Sequence, residues 1–107
     1  MELKQYSIVL VNLDPTIGSE IKKTRPCVII SPDEMNKYLN TVVLAPMTTN
    51  LKAYPTRVKV KHNLKTGMIA IDQVRTVDKL RMVKVLGKLS NQESENCKQV
   101  IKEAFVD

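Results

Sequence analysis

The sequence has few of the residues from which metal and redox sites are built. Its 107 residues include two cysteines and one histidine, and there is no Cys-x-x-Cys pair. A structural zinc site needs four Cys or His ligands at short spacings, so we expect no metal ion, and no other cofactor is indicated. Free cysteine is commonly a core residue. Cys27 and Cys97 are therefore expected to be buried, reduced thiols, although a disulfide between them stays open.

Aromatic residues and long apolar runs are also scarce. Three tyrosines, one phenylalanine and no tryptophan are fewer than a stacking platform for a long nucleic-acid strand normally uses, so a short recognition pocket fits better. The apolar run at positions 27–30 is far shorter than the roughly 18 residues of a membrane span, and no signal segment opens the chain. We expect no membrane contact and a cytoplasmic location.

Positive charge is the strongest feature that is present. The formal net charge is +6, and nine Lys or Arg residues lie between positions 57 and 88 against two Asp residues. Such a one-sided field attracts polyanions, with RNA, DNA and an acidic protein all eligible, but it does not indicate a reaction. The length suits a single domain over residues 1–107.

Short apolar and alternating segments predict a mainly β fold with short helices (α+β). A short helix is expected from Pro32 to about Tyr38, and Gly87 is a candidate for a bulge or bend. Many short strands at close spacing favour a small β-barrel. The six predicted strands are 6–13, 28–31, 41–47, 56–62, 68–71 and 83–86.

Two further segments have a clear local character. Ser90 and Glu93 fit a capping box, and helical spacing of the apolar residues after it predicts a C-terminal amphipathic helix. Those apolar residues are Cys97, Val100, Ile101, Ala104 and Phe105. Residues 14–24 are polar and lie between apolar segments, so they are the candidate for a mobile flap over a substrate.

Six blocks of sequence are typical of one family and occur in its order. They lie at 13–20, 25–32, 45–48, 54–55, 72–78 and 86–89, so nearly the whole chain is covered. They closely resemble the MazF/PemK family of RNA-cleaving toxins. The resemblance implies an SH3-like barrel, a homodimer and a toxin that cleaves single-stranded RNA at short sequence motifs. It also implies inhibition by a cognate antitoxin.

The chain departs from the family pattern at several positions. Gln5-Tyr6 stands where relatives often have Gly-Asp, and the tryptophan that many relatives carry in the first strand is missing. These differences concern packing. Ala70 and Ser19 occupy positions where some relatives have an arginine and a histidine. A mechanism that needs those two side chains is therefore excluded for this chain.

The resemblance implies that Arg25 and Thr48 are the catalytic residues. Cleavage of RNA through its own 2′-hydroxyl needs a proton acceptor, donors for the charged phosphate and a proton source, and no metal ion. A single histidine excludes the two-histidine arrangement. Arg25 would stabilise the phosphate and Thr48 would donate its hydroxyl. Without the resemblance, both would be interpreted as ordinary residues at the ends of strands.

Other site residues are less sharply defined. Glu20 and Asp72 are candidates for catalytic support, since either could orient Arg25, bind a base edge or accept the 2′-proton. Glu20 is ranked as the partner of Arg25, and the general base is unassigned. His62 is interpreted as a turn residue outside the site. The RNA-binding candidates are Ser19, Lys22, Thr49, Gln73 and Arg75.

Two other functions compete with RNA cleavage. The charge excess at 57–88 would also suit a barrel that binds nucleic acid without cutting it. A toxin of the same fold class could instead inhibit a DNA topoisomerase through its C-terminal helix. The polar segment 14–24 and the Arg25 block favour the nuclease.

Overall fold

A computed structural model describes residues 2–13 and 24–106, and every strand pairing within them is antiparallel. Two α-helices of the described residues lie where the sequence predicts them. Two 3-10 turns and a C-terminal π-helical turn, Lys102–Val106, are also present. The strands are β1 Ser7–Asn12, β2 Thr24–Ile29, β3 Thr41–Thr48, β4 Arg57–His62, β5 Lys65–Ala70, β6 Arg75–Asp78 and β7 Met82–Lys88. The helices are α1 Asp33–Tyr38 and α2 Asn91–Ile101, and the 3-10 turns are Ile71–Gln73 and Lys79–Arg81.

Strand β3 pairs with three other strands. One of its edges pairs with β2, while its opposite edge pairs first with β6, over residues 41–44, and then with β5, over residues 47–48. The strand order along the sheet is β4-β5-β3-β2-β1-β7, with β6 beside β3. Because β3 changes partner halfway along, the sheet curls into a half-barrel with the C-terminal helix against it.

The two outer strands of the sheet approach each other at Gly87 of β7 and His62 of β4. A Cβ atom at Gly87 would lie 3.0 Å from His62 Cε1, so a larger residue would push the imidazole ring away. Next to this glycine the pairing of β7 with β1 shifts by one residue, since Ile8 lies opposite Gly87 but Val9 lies opposite Val85. The bulge expected at Gly87 is therefore confirmed.

Both faces of the central strands are buried, in two separate clusters. One cluster lies beneath α2 and includes Ile8, Val28 and Cys97. The other lies on the opposite face and includes Val9 and Cys27. Side chains alternate between faces along a strand, which explains why β1 and β2 each contain four consecutive apolar residues.

The capping box joins α2 to the sheet. Ser90 Oγ accepts a hydrogen bond from Glu93 N–H at 3.1 Å, and Glu93 Oε1 accepts one from Ser90 N–H at 2.9 Å. Glu93 Oε2 also accepts from the N–H of Lys61 in β4 at 2.9 Å. Burial acts to raise the pKa of Glu93, but these backbone donors outweigh it and hold the pKa below its usual range.

Most expected elements are confirmed, and the differences have local causes. β2 starts at Thr24 instead of residue 28, because Thr24 and Arg25 pair with Asn12 and Val11 of β1. This strand therefore contains Arg25. Both cysteines are buried and free, as expected. The apolar stripe of α2 ends early, since the Phe105 side chain is 58% exposed.

Strand β6 was not expected, and Gly67 lies inside β5 instead of opening it. β6 has four residues, of which only Val77 is buried, so its sequence carries little apolar signal. The 14–24 segment lies outside the described residues except for Thr24, which begins β2. None of the helices in the described ranges is long and apolar enough to cross a bilayer.

Replacement of Glu93 by Ala should destabilise the fold by about 1–2 kcal/mol, because two backbone N–H groups lose their carboxylate acceptor. Urea unfolding followed by circular dichroism measures this. Glu95→Ala is the matched control: it removes an exposed carboxylate of the same helix that pairs with Lys98, and should cost less than about 0.5 kcal/mol. Equal losses in the two variants would contradict the joining role of Glu93.

Candidate active site

A groove opens at the end of the sheet where β2 and β3 lie beside the hairpin formed by β4 and β5. Its volume is about 390 Å³. Arg25, Thr48 and Thr49, all expected at the site, contribute to its walls. The other described residues that line it are Thr24, Pro26, Met47, His62, Asn63, Lys65, Thr66, Gly67 and Leu86.

The sheet register brings Arg25 and Thr48 together. In the pairing of β2 with β3, Cys27 lies opposite Pro46. Continuing this antiparallel register by two residues places Arg25 beside Thr48, and residues two apart on a strand share a face. Both side chains therefore belong to one face of adjacent strands, at the wall of the groove.

Thr48 is placed to act as a hydrogen-bond donor. Its Oγ1 accepts a hydrogen bond from Asn50 N–H at 3.2 Å, which leaves the hydroxyl hydrogen free to donate. On its other side β5 comes close, since a Cβ atom at Gly67 would lie 3.0 Å from the Thr48 carbonyl oxygen. The absence of a side chain at Gly67 lets this approach happen and keeps the Thr48 backbone in place.

The groove carries two positive charges that no carboxylate among the described lining residues compensates. Arg25 is exposed, and its side chain makes no hydrogen bond or ion pair with another described residue. Lys65 is the second cation, and no carboxylate is among the described lining residues. Residues 2–13 and 24–106 contain no group of three His, Cys, Asp or Glu that could hold a metal ion. A charged donor beside a hydroxyl suits a phosphate group.

Cys27 lies two residues from Arg25 on the same strand but is not suited to be a nucleophile. Its side chain is fully buried. Burial raises the pKa of the Cys27 thiol to about 12, even though the charges of Arg25 and Arg75 act to lower it. The thiol therefore stays protonated at neutral pH, and the reactive form, the thiolate, is not available.

Asp72 is held by Arg57 and not by Arg25. Its carboxylate accepts hydrogen bonds from Arg57 Nε at 2.8 Å, from Arg57 Nη2 at 3.3 Å and from Thr56 Oγ1 at 2.9 Å. The Arg57 hydrogen bond lowers the pKa of Asp72, while the same bond raises the pKa of Arg57. The ring of Tyr54 lies 5.2 Å from the Arg57 guanidinium carbon. This cluster fixes the start of β4.

The remaining expected residues divide into two groups. Gln73 is exposed at the end of a 3-10 turn, and Arg75 lies in β6 opposite Leu44; neither is among the described residues that line the groove. Ser19, Glu20 and Lys22 lie outside the described residues. The described groove lining therefore includes Arg25, Thr48 and Thr49 and does not include Asp72, Gln73 or Arg75.

The β4–β5 hairpin contributes residues that the sequence interpretation left out of the site. His62, Asn63 and Lys65 all line the groove. His62 ends β4 just before a turn, as expected, yet it also faces the groove, and its Nε2 is buried without a hydrogen-bond partner among the described residues. An Asn followed by one residue between two β-runs was the available signal for a two-residue hairpin.

Comparison with protein families gives one match over almost the full chain. A family model described as the PemK-like, MazF-like toxin of type II toxin–antitoxin system matches residues 4–105. The protein named Endoribonuclease MazF from Staphylococcus saprophyticus is 35% identical over 105 residues, which cover 92% of this chain and 88% of that protein.

Solved structures share the fold at lower sequence identity. MazF from Deinococcus radiodurans matches with a TM-score of 0.79 and 22% identity, over 97% of this chain and 96% of that chain. An endoribonuclease in complex with its cognate antitoxin, from a mycobacterial species, matches with a TM-score of 0.82 and 19% identity, over 96% and 94% of the two chains. A MazE–MazF structure from Deinococcus radiodurans also reaches 0.82, at 22% identity over 96% and 95%.

Asp72→Asn should lower the melting temperature by at most a few degrees, because the pair with Arg57 is partly exposed and screened by solvent. The folded pKa of Asp72 is lowered, so its contribution is present above the unfolded value of 3.8 and is lost as the pH falls through the folded value. The gap between wild type and variant should therefore narrow below pH 3.8. Calorimetry across pH tests this. Glu34→Gln, at an exposed carboxylate of α1, is the control, and a gap independent of pH would contradict the assignment.

Proposed function

Since this chain belongs to the family of PemK-like, MazF-like toxins of type II toxin–antitoxin systems, we propose that it is an endoribonuclease that cleaves single-stranded RNA at short sequence motifs without a metal ion. The observation that supports this most directly is the register that brings Arg25 and Thr48 to one face of the groove. The chain would act in the cytoplasm as a homodimer, and a cognate antitoxin would inhibit it.

The proposed reaction uses the RNA's own 2′-oxygen as the nucleophile. The 2′-oxygen forms a bond to phosphorus as its proton leaves, and the bond from phosphorus to the 5′-oxygen breaks as that oxygen gains a proton. The products are a 2′,3′-cyclic phosphate and a free 5′-hydroxyl. Arg25 would stabilise the negative charge that grows on the phosphate, and Thr48 would donate a hydrogen bond to a phosphate oxygen.

Proton transfer and RNA binding involve further residues. Glu20 is the preferred partner of Arg25, because Asp72 already accepts two hydrogen bonds from Arg57. Asp72 would then support catalysis only indirectly, by fixing β4. Thr49 would contact RNA within the groove. Ser19, Lys22, Gln73 and Arg75 are proposed to contact the strand beyond it.

The proposed antitoxin is an acidic protein segment. The net charge of +6 and the exposed cations of the groove favour a polyanionic partner. Of the structures with the same fold described above, the mycobacterial endoribonuclease is named as a complex with its cognate antitoxin, and one from Deinococcus radiodurans is named as a complex with MazE. An antitoxin that competes with RNA for this charged groove would block cleavage.

Arg25→Ala should lower the rate of RNA cleavage by roughly 10³-fold or more, because the phosphate loses a charged donor. The measurement is cleavage of a broad set of single-stranded RNAs in the presence of EDTA, with detection of the cyclic phosphate. The variant should stay folded and dimeric and lose toxicity. Lys102→Ala, a cation outside the groove, is the control and should keep wild-type activity. Intact RNA with the wild-type protein would overturn the proposed function in favour of a binding protein.

Thr48→Val keeps the shape of the side chain and removes its hydroxyl, so cleavage should slow by about 10²-fold. Thr48→Ser restores the donor and should return the rate to within about tenfold of wild type. Single-turnover kinetics on one short RNA substrate separates the chemical step from binding. Equal rates for the Val and Ser variants would show that the hydroxyl does not take part in the reaction.

A further inference from the structure

The tip of the β4–β5 hairpin holds a leucine in an unfavourable position. His62 pairs with Lys65, so the turn consists of Asn63 and Leu64, whose φ angles are 50° and 64°. A two-residue turn with both φ angles positive favours Asn and Gly. Leucine is strained there, because its Cβ crowds the following carbonyl oxygen.

No burial compensates for this strain within the described structure. The Leu64 side chain is 91% exposed, so it contributes almost nothing to either core cluster. A glycine at this position would relieve the backbone and remove an apolar side chain from water. A strained and exposed apolar residue is the kind of feature that indicates contact with a partner.

The position of Leu64 relates it to the groove. Its neighbours Asn63 and Lys65 both line the groove that Arg25 and Thr48 share. Leu64 therefore stands at the rim. Leu80 offers a comparison: it is 92% exposed, but it lies in a 3-10 turn, is not among the residues with positive φ and does not line the groove.

The chemistry of the groove favours an RNA strand as the partner. Two cations, several hydroxyls and an amide suit a phosphate backbone and base edges, but the ring of His62 is the only aromatic ring among the described lining residues. Unpaired bases expose broad apolar faces and need a surface to pack on. With no Tyr, Phe or Trp in the described groove lining, an aliphatic side chain at the rim supplies that surface.

We propose that Leu64 packs against the face of an unpaired nucleobase and thereby positions the RNA strand for cleavage between Arg25 and Thr48. The proposal rests on the proposed function, because it assumes that RNA lies in the groove. It makes Leu64 a positioning residue, whose effect is on substrate binding.

Three variants test the proposal. Leu64→Ala removes most of the side chain, Leu64→Gly also relieves the turn, and Leu80→Ala is the matched exposed leucine. Both Leu64 variants should bind RNA roughly tenfold more weakly and raise KM by a similar factor with little change in kcat. Leu64→Gly should in addition melt at a higher temperature than wild type. Leu80→Ala should match wild type in RNA binding and cleavage.

The binding probe is a random-sequence pool of 2′-fluoro single-stranded RNA, which cannot be cut. If the wild-type protein binds this pool but cuts no RNA, the proposed function fails, while weaker binding by both Leu64 variants still supports the role of Leu64. Unchanged pool affinity in the Leu64 variants overturns that role. So does a defect confined to dimerisation or antitoxin binding, since the contact would then be with protein. A wild-type protein that does not bind RNA refutes both proposals.

Discussion

The pairing of β3 with three neighbouring strands is the constraint on which the rest of the structure depends. Its first half pairs with β6, its end pairs with β5, and its other edge pairs with β2. The change of partner curls the sheet and brings the β4–β5 hairpin to the side of β2. Without it, the groove would have one wall. A register slip of one residue between β2 and β3 would also turn Arg25 and Thr48 to opposite faces.

The charges of the site are divided between two places, with different consequences. Arg57 and Asp72 compensate each other at the start of β4, where Tyr54 covers the guanidinium. Arg25 and Lys65 have no carboxylate beside them in the described groove. A paired cation such as Arg57 contributes to the fold, whereas the exposed charges of Arg25 and Lys65 lie where they can attract an anionic ligand. Of the nine basic residues between positions 57 and 88, only Lys65 is among the described residues that line the groove.

Strain and exposure at the hairpin tip suggest that the groove was shaped by binding as well as by folding. The turn after His62 would be more stable with a glycine, and the buried Nε2 of His62 has no partner in the described structure. Both features lower the stability of the fold, and no packing or hydrogen bond among the described residues offsets this loss. They lie within a few residues of each other, at the wall that faces Arg25 and Thr48.

Local features were predictable from the sequence, because they depend on neighbours along the chain. The capping box at Ser90, the helix α1 and the apolar strands follow from local hydrogen bonding and from burial periodicity. Strand β6 was missed, since its register with β3 and not its own composition makes it a strand. The start of β2 was placed four residues late, because Thr24 and Arg25 are exposed and their pairing with β1 leaves no apolar pattern.

Some residues of the candidate site were likewise predictable from the sequence, and others were not. Arg25, Thr48 and Thr49 were identified because the sequence blocks around them resemble a family. Such a resemblance can be recognised from the order of residues along the chain, without the structure. The hairpin residues His62, Asn63 and Lys65, and the assignment of Asp72 to Arg57, were decided by tertiary structure. They depend on which strands lie side by side, and that is set by packing across the whole sheet. The amino-acid sequence alone determined the chemistry available to this protein, and the fold decided which of those groups meet.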